Sequence, residues 1–335
     1  MNYYSLLKVN RLIRNHRIKF LGLFLFYKLK KRYLAVHFDP VNACNLRCRM
    51  CYFSDDNFTK NLKGIFDKKD LPRLGEVVLK QALKLQIGCG KEPTLYKDIG
   101  EIIKVAKDFK VPHVSLTTNA NLLTKDNLLR WAELGLDEII VSLHGVYEDT
   151  YNDFMQKADY KRFLQSLSYI TEVKKIYPDL SLRINYTFNE DNFNELKDFF
   201  KVFGAFDINK LQLRPINNLG NTSYQNFKMD KVIPVYDEIL SLISKECKKR
   251  NITLIAAAST DSLVSKKNKA SLVHNYTYCY ISPTDFWHED LDWRNETYND
   301  YVKRKKITSE LLRNIFSSSK KLEHLQTENL NYKID

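Results

Sequence analysis

Three of the six cysteines in this 335-residue chain fall in one short segment, Asn42-Ala43-Cys44-Asn45-Leu46-Arg47-Cys48-Arg49-Met50-Cys51-Tyr52-Phe53. The spacing is CxxxCxxC, and thiolates are soft ligands that select zinc or iron-sulfur clusters. A structural zinc asks for four ligands, usually from two paired knuckles, and neither a second CxxC nor a nearby histidine pair is present to complete it. Three cysteines on one loop suit a cubane cluster, with three irons ligated and the fourth left open for chemistry. Cys89, Cys247 and Cys279 are scattered. Six cysteines are too few for a disulfide scaffold, and their crowding belongs to a metal in a reducing compartment, which points to the cytoplasm.

The elements around this segment follow a repeated order. Leu34 to Val41 alternates apolar and polar residues like a strand and delivers the cysteines onto a strand-to-helix loop. Periodicity then predicts a helix over Asp67 to Leu85, a strand over Leu85 to Cys89, a helix over Lys97 to Phe109 and a strand over Pro112 to Thr118. Beyond these come a helix over Lys125 to Leu134, a strand over Glu138 to His144, one or two helices over Tyr147 to Ile176 and a strand over Leu180 to Phe188. A helix over Asn192 to Phe203 and a strand over Asn209 to Arg214 complete six strands alternating with helices. That order implies an α/β fold with a parallel sheet, whose ligands lie at the carboxyl ends of the strands. Past Arg214-Pro215 the pattern changes to a polar loop, a long amphipathic helix over Asp230 to Arg250, a short apolar run at Ile252 to Ala258 and a basic helix with a tail.

The formal charge of +13 belongs to the two ends of the chain. Residues 1 to 38 hold nine Lys/Arg and no carboxylate, and residues 301 to 335 hold eight basic against four acidic side chains. The intervening body balances at 36 against 36, so it offers no continuous basic stripe, and with no recognition motif present nucleic acid is a poor partner. Tyr3 to Tyr33 interleaves Leu6, Leu7, Ile18, Phe20, Leu21, Phe24 and Leu25 with basic residues. Such a basic amphipathic helix suits an anionic membrane surface, peripheral on its inner face, and equally a docking face on the protein itself or on a partner subunit. It is neither a signal peptide nor long enough to span a bilayer.

The cysteine segment, placed after the first strand, resembles the signature of the radical S-adenosylmethionine superfamily. The resemblance implies a partial (β/α)6 TIM-like barrel at residues 34 to 216, flanked by the amphipathic segment at 1 to 33 and a small C-terminal extension at 217 to 335. It implies that Cys44, Cys48 and Cys51 ligate a 4Fe-4S cluster whose free iron chelates S-adenosylmethionine. Reductive cleavage there releases a radical that abstracts hydrogen from substrate. Gly88-Cys89-Gly90-Lys91-Glu92-Pro93 is similar to the family's GGEP segment, with Lys91 in place of the second glycine. Thr118-Asn119-Ala120 is similar to its TNG turn, and Ser142-Leu143-His144-Gly145 to its SLDG strand end. The implied cofactor contacts are Met50, Gly88, Gly90, Glu92, Asn119, Ser142, Arg183 and Leu213. A reductant such as flavodoxin or ferredoxin is implied, with a peptide, a small metabolite or a lipid-linked molecule as substrate.

Cys279-Tyr280-Ile281-Ser282-Pro283 is similar to the start of the cysteine-rich extension of peptide-modifying members, but the later cysteines are missing. One cluster is therefore expected, with the segment through Phe286-Trp287 and Trp293 packing as an aromatic cover over the open side of the barrel. Lys91 motivates a different class of function, a non-catalytic metal-binding or assembly protein that keeps the fold and uses the cysteines structurally.

Overall fold

The computed structural model describes residues 12–13, 15–257, 259–260, 263, 272–286, 290–325 and 332–334. Tyr3, Leu6, Leu7 and Trp287, named above, lie outside the described residues. The sheet is built from β1 (Leu34–Phe38), β2 (Ala82–Ile87), β3 (Val114–Thr118), β4 (Glu138–Leu143), β5 (Ser181–Phe188), β6 (Lys210–Pro215), β7 (Thr253–Ala257), β8 (Tyr278–Ile281) and β9 (Tyr332–Ile334). Its order is β8-β1-β2-β3-β4-β5-β6-β7-β9, so it is curved by its βα connections but not closed. β1 to β8 are mutually parallel, and β9 alone pairs antiparallel, to β7. The expected TIM-like α/β partial barrel is present, extended past its sixth strand.

Register sorts the side chains onto two faces. Cross-strand neighbours point to the same side of a sheet and successive residues to opposite sides. Val36 lies beside Leu85 and Cys279, Leu85 beside Val114, Leu116 beside Ile139, Ile139 beside Leu182, and Ile184 beside Leu211. All of these are buried in one core that also takes Ile103, Leu128, Phe163, Leu167, Phe203 and Ile243 from the helices. The other face is polar: His37 lies beside Gln86 and Tyr280, Gln86 beside Ser115, Ser115 beside Glu138, Ser142 beside Asn185, Asn185 beside Gln212, and Thr187 beside Arg214. An apolar outer face seats the helices, and a polar inner face lines the hollow of the barrel.

The amino end of that polar face is closed by an ion network. Glu138, fully buried, accepts from Arg183 Nη2 at 2.5 Å and Lys210 Nζ at 2.7 Å, with His113 Nε2 at 3.4 Å. Burial opposes ionisation of Glu138, yet Arg183, His113 and Lys210 outweigh it and hold the carboxyl well below its ordinary range. Lys84 Nζ donates to Gln86 Oε1 at 2.8 Å, and burial, with the Arg183 and Lys210 charges nearby, brings it down to about 7.

Two segments differ from the sequence expectation. The predicted helix over Asp67 to Leu85 is broken into two 3-10 turns and the helix Leu71–Val77, and β2 begins at Ala82. Within that helix Gly75 allows a close approach to the Phe109 ring, where a Cβ would come within 2.2 Å. Tyr278–Ile281, expected within an aromatic cover, is instead a strand on β1, because its alternation sends Cys279 and Ile281 into the core. Trp293 stacks on Phe286, with centroids 5.8 Å apart, and lies against Phe66.

Because the Glu138 carboxyl is held low, its contribution to stability is complete above the ordinary carboxylate pKa and is lost only as pH falls through its lowered value. Glu138→Gln, which strands Arg183 and Lys210 without their counter-charge, should cost about 3–5 kcal/mol at neutral pH in urea unfolding. The variant should also lose less stability than the parent on acidification.

Candidate active site

The cysteine loop leaves β1 at Asp39-Pro40 and is stitched to its neighbours by backbone groups. Glu92 N donates to Ala43 O at 3.0 Å, Arg47 N to Gln156 O at 2.9 Å, Arg49 N to Phe154 O at 2.9 Å, and Tyr224 N to Arg49 O at 3.0 Å. Asn119 Nδ2 donates to Asn45 Oδ1 at 2.8 Å, linking the end of β3 to the interval between Cys44 and Cys48. The loop is thus held by segments that follow four different strands, β2, β3, β4 and β6.

Cys44, Cys48 and Cys51 are free thiols, each partly buried. Burial pushes the Cys44 thiol up to about 12 and the Cys48 thiol well above its ordinary value, and the charges of Cys44 and Cys51 add to the rise at Cys48. The charges that Cys44 and Cys51 exert on Cys48 place the three thiols near one another on the loop. Thiols held this high become ligands only when a cation takes their protons' place, which is the chemistry of an iron or zinc site. The described residues contain no group of three His, Cys, Asp or Glu side chains drawn around a single point. A cubane cluster does not need one, because its ligated corners are different irons, and the donor set fits such a group.

Two buried carboxylates shape the turn after β2. Asp39, fully buried, accepts from Cys89 N at 2.7 Å and Gly90 N at 3.1 Å, from the Tyr280 hydroxyl at 2.9 Å, and has the Lys91 ammonium at 3.7 Å. Glu92, also buried, accepts from Thr118 Oγ1 at 2.7 Å, Asn119 N at 2.8 Å, Thr94 N at 3.2 Å and Thr94 Oγ1 at 2.5 Å. Asp39 ties the turn to β1 and β8, and Glu92 ties it to β3. Glu92, expected as a cofactor contact, has its carboxylate occupied by protein donors and acts as a positioning residue. Asp39 was missed, because an acid at a strand end carries no signal of burial in sequence.

The glycines answer to close packing. Gly88 adopts φ +85°, and a Cβ there would meet Thr117 O at 2.4 Å. Gly90 lies under Tyr52, whose hydroxyl donates to Gly90 O at 2.5 Å and would sit 2.4 Å from a Cβ. Lys91 donates to the Tyr280 hydroxyl at 2.5 Å, beside Asp39. Ala120, in place of the glycine of the TNG turn, still takes the left-handed conformation at φ +64°.

The remaining expected contacts divide. Ser142 is half-buried beside Asn185, whose buried Oδ1 has no hydrogen-bond partner. His144, the next residue on that side, also has a buried Nδ1 without a partner, and burial followed by the Arg214 charge lowers it to about 4. Unpaired buried polar atoms at the carboxyl ends of strands mark the wall where a ligand is received. Met50 packs with Phe154, Ile216 and Tyr224 in a small cluster beside the loop. Arg183 and Leu213 are not brought to this wall. Arg183 lies five residues before Phe188 at the end of β5, roughly 17 Å along the strand, and is bound to Glu138. The Leu213 side chain is on the apolar face, buried in the core; its neighbour Arg214 is the exposed residue of β6.

Residues 39–202 match the family model of the Radical SAM superfamily, and the chain belongs to that superfamily through this domain. Membership implies S-adenosylmethionine and a 4Fe-4S cluster. Among curated relatives, the probable GTP 3',8-cyclase of Saccharolobus solfataricus is 27% identical over 204 residues, covering 60% of this chain and 63% of the relative. That of Sulfurisphaera tokodaii is 22% identical, over 59% of this chain and 61% of the relative. The chain thus matches less than two thirds of their length. Among solved structures, Streptococcus suis SuiB bound to S-adenosylmethionine shares the fold with a TM-score of 0.60 at 17% identity, covering 81% of this chain and 68% of that one. Native anSMEcpe with bound AdoMet does so with a TM-score of 0.54 at 15% identity, over 65% and 62%.

Asp39→Asn removes the charge that gathers Cys89 N, Gly90 N and Tyr280. Unfolding of the metal-free variant by denaturant should show a loss of about 2 kcal/mol, whereas a value within a few tenths of the parent would mean that the turn holds itself.

Proposed function

We propose that the chain is a one-cluster radical S-adenosylmethionine enzyme. In this reading Cys44, Cys48 and Cys51 hold the cluster, and Gly88, Gly90, Asn119 and Ser142 frame the cofactor. The observation that carries it is the junction of three partly buried thiols on one loop with a glycine turn clamped by Asp39 and Glu92 at the same end of the sheet. When bound, the cluster and S-adenosylmethionine would supply reductive cleavage of the sulfonium and a carbon radical able to take hydrogen from substrate.

The chain's own residues have three tasks. Asp39 and Glu92 keep the turn's backbone fixed by spending their charge on protein N–H and O–H donors, so the turn presents its remaining polar groups to the cofactor rather than to water. The partly buried cysteine pocket limits solvent at the cluster. Ser142, His144, Asn185 and Arg214 offer hydrogen-bonding groups to whatever enters the polar face, and the neutral His144 is available as donor or acceptor. A polar substrate suits this wall; a peptide and a small polar metabolite both meet that description. SuiB, a fold neighbour, has been solved bound to its precursor peptide SuiA, and the curated relatives are named for a reaction of GTP. A small electron carrier such as flavodoxin or ferredoxin would supply the electron, and the free thiols suit a reducing cytoplasm.

Anaerobic reconstitution should load about four irons per chain, and reduction should then release 5'-deoxyadenosine from S-adenosylmethionine. Cys48→Ala should abolish both. Stoichiometric zinc in place of a cluster, or undiminished cleavage by the variant, would overturn the assignment.

A further inference from the structure

The helix His16–Lys28 and the residue that caps it are apolar on two opposite sides. Phe20, Leu23 and Tyr27 form one stripe, at most 8% exposed, with the Tyr27 hydroxyl donating to Tyr276 O at 2.8 Å. Docking on the protein itself, one of the two roles expected for this segment, is therefore present. The opposite stripe, Ile18, Leu21, Leu25 and Leu29, is 45–63% exposed. An ordinary surface helix carries polar residues there.

A second helix, Ile307–Phe316, packs alongside. His16 Nε2 lies 3.0 Å from Ser317 O, and its Nδ1 3.3 Å from Ser319 Oγ, so the start of one helix meets the end of the other. Leu312 and Phe316, one turn apart on this helix, are 45% and 76% exposed. Two neighbouring helices thus add to one apolar surface of the kind that marks an interaction site.

The charges around it select the occupant. Arg17, Lys28, Lys30, Lys31, Arg313, Lys320 and Lys321 are all exposed. Residues 1–38 contain no carboxylate, and Glu310 on the second helix accepts from the Tyr276 hydroxyl at 2.7 Å; among the described residues after Arg304, Glu323 is the exposed acid. A second copy of the chain would set this basic rim against itself, since a two-fold interface pairs a patch with the same patch. A surface of anionic phospholipid complements both the apolar centre and the basic rim. No helix among the described residues is long and apolar enough to cross a membrane.

We propose that Ile18, Leu21, Leu25, Leu29, Leu312 and Phe316 seat this end of the protein in the interfacial layer of an anionic membrane, with the basic rim on the head groups. The inference does not depend on the cluster chemistry. The test is flotation of the full chain with vesicles of phosphatidylcholine containing ~30% phosphatidylglycerol, against pure phosphatidylcholine. The full chain should float with the anionic vesicles and be released by high salt. The triple variant Leu21→Ser, Leu25→Ser, Phe316→Ser should partition about tenfold less, with unchanged circular dichroism. Lys28→Gln with Lys30→Gln and Lys31→Gln should weaken binding to anionic vesicles only. Absence of flotation by the parent chain, equal flotation of the serine variant, or sedimentation showing that the patch instead joins two chains would each overturn the proposal.

Discussion

Everything at the carboxyl end of this barrel depends on two buried carboxylates at strand ends. Asp39 and Glu92 lie on either side of the turn after β2 and place their negative charge against backbone N–H groups and hydroxyls. A buried carboxylate is costly unless its lone pairs are filled. Here the donors that fill them belong to three strands or their loops, β2, β3 and β8, so satisfying the charge and assembling the site are one event. Without them the glycine turn would lose its ties to β1, β8 and the end of β3.

The second constraint is the division of the sheet into an apolar and a polar face. Parallel strands buried on both sides usually read as continuous apolar runs, and these do not. Lys84, Gln86, Glu138, Arg183 and Gln212 alternate with core residues because the barrel hollow must be polar. At its amino end that polarity is neutralised internally around Glu138. At its carboxyl end the buried Oδ1 of Asn185 and Nδ1 of His144 are left without a partner. The same face is stabilising at one end and receptive at the other, which is how a rigid scaffold carries a site.

The basic ends of the chain acquire a similar logic. One amphipathic helix serves two surfaces, its inner stripe closing the core and its outer stripe lying open beside Leu312 and Phe316. Hydrophobic periodicity in sequence cannot separate two apolar stripes on one helix, because a moment measures their difference and opposed stripes cancel. Packing docks the inner stripe of His16–Lys28 on the core, a role that periodicity over Tyr3 to Tyr33 left open.

Much of the fold was legible. The βα order, the position of the cysteines after β1 and the turns ending β2, β3 and β4 all follow from local signals, namely period, glycine and thiol spacing, which depend on neighbours in the chain. What sequence could not supply were distances along and across strands. Arg183 and Asn185 look alike as polar residues on β5, yet only the register with β4 shows that one meets Glu138 and the other Ser142. Asp39 and Tyr280 are 241 residues apart and meet because β8 adds to the free edge of β1. A strand of four residues is too short to declare its period. The sequence by itself determined the kind of chemistry the loop can hold, through the number and softness of its thiols. The tertiary structure decided which polar groups surround it, because burial and hydrogen bonding between distant residues are properties of the packed sheet and not of any one segment.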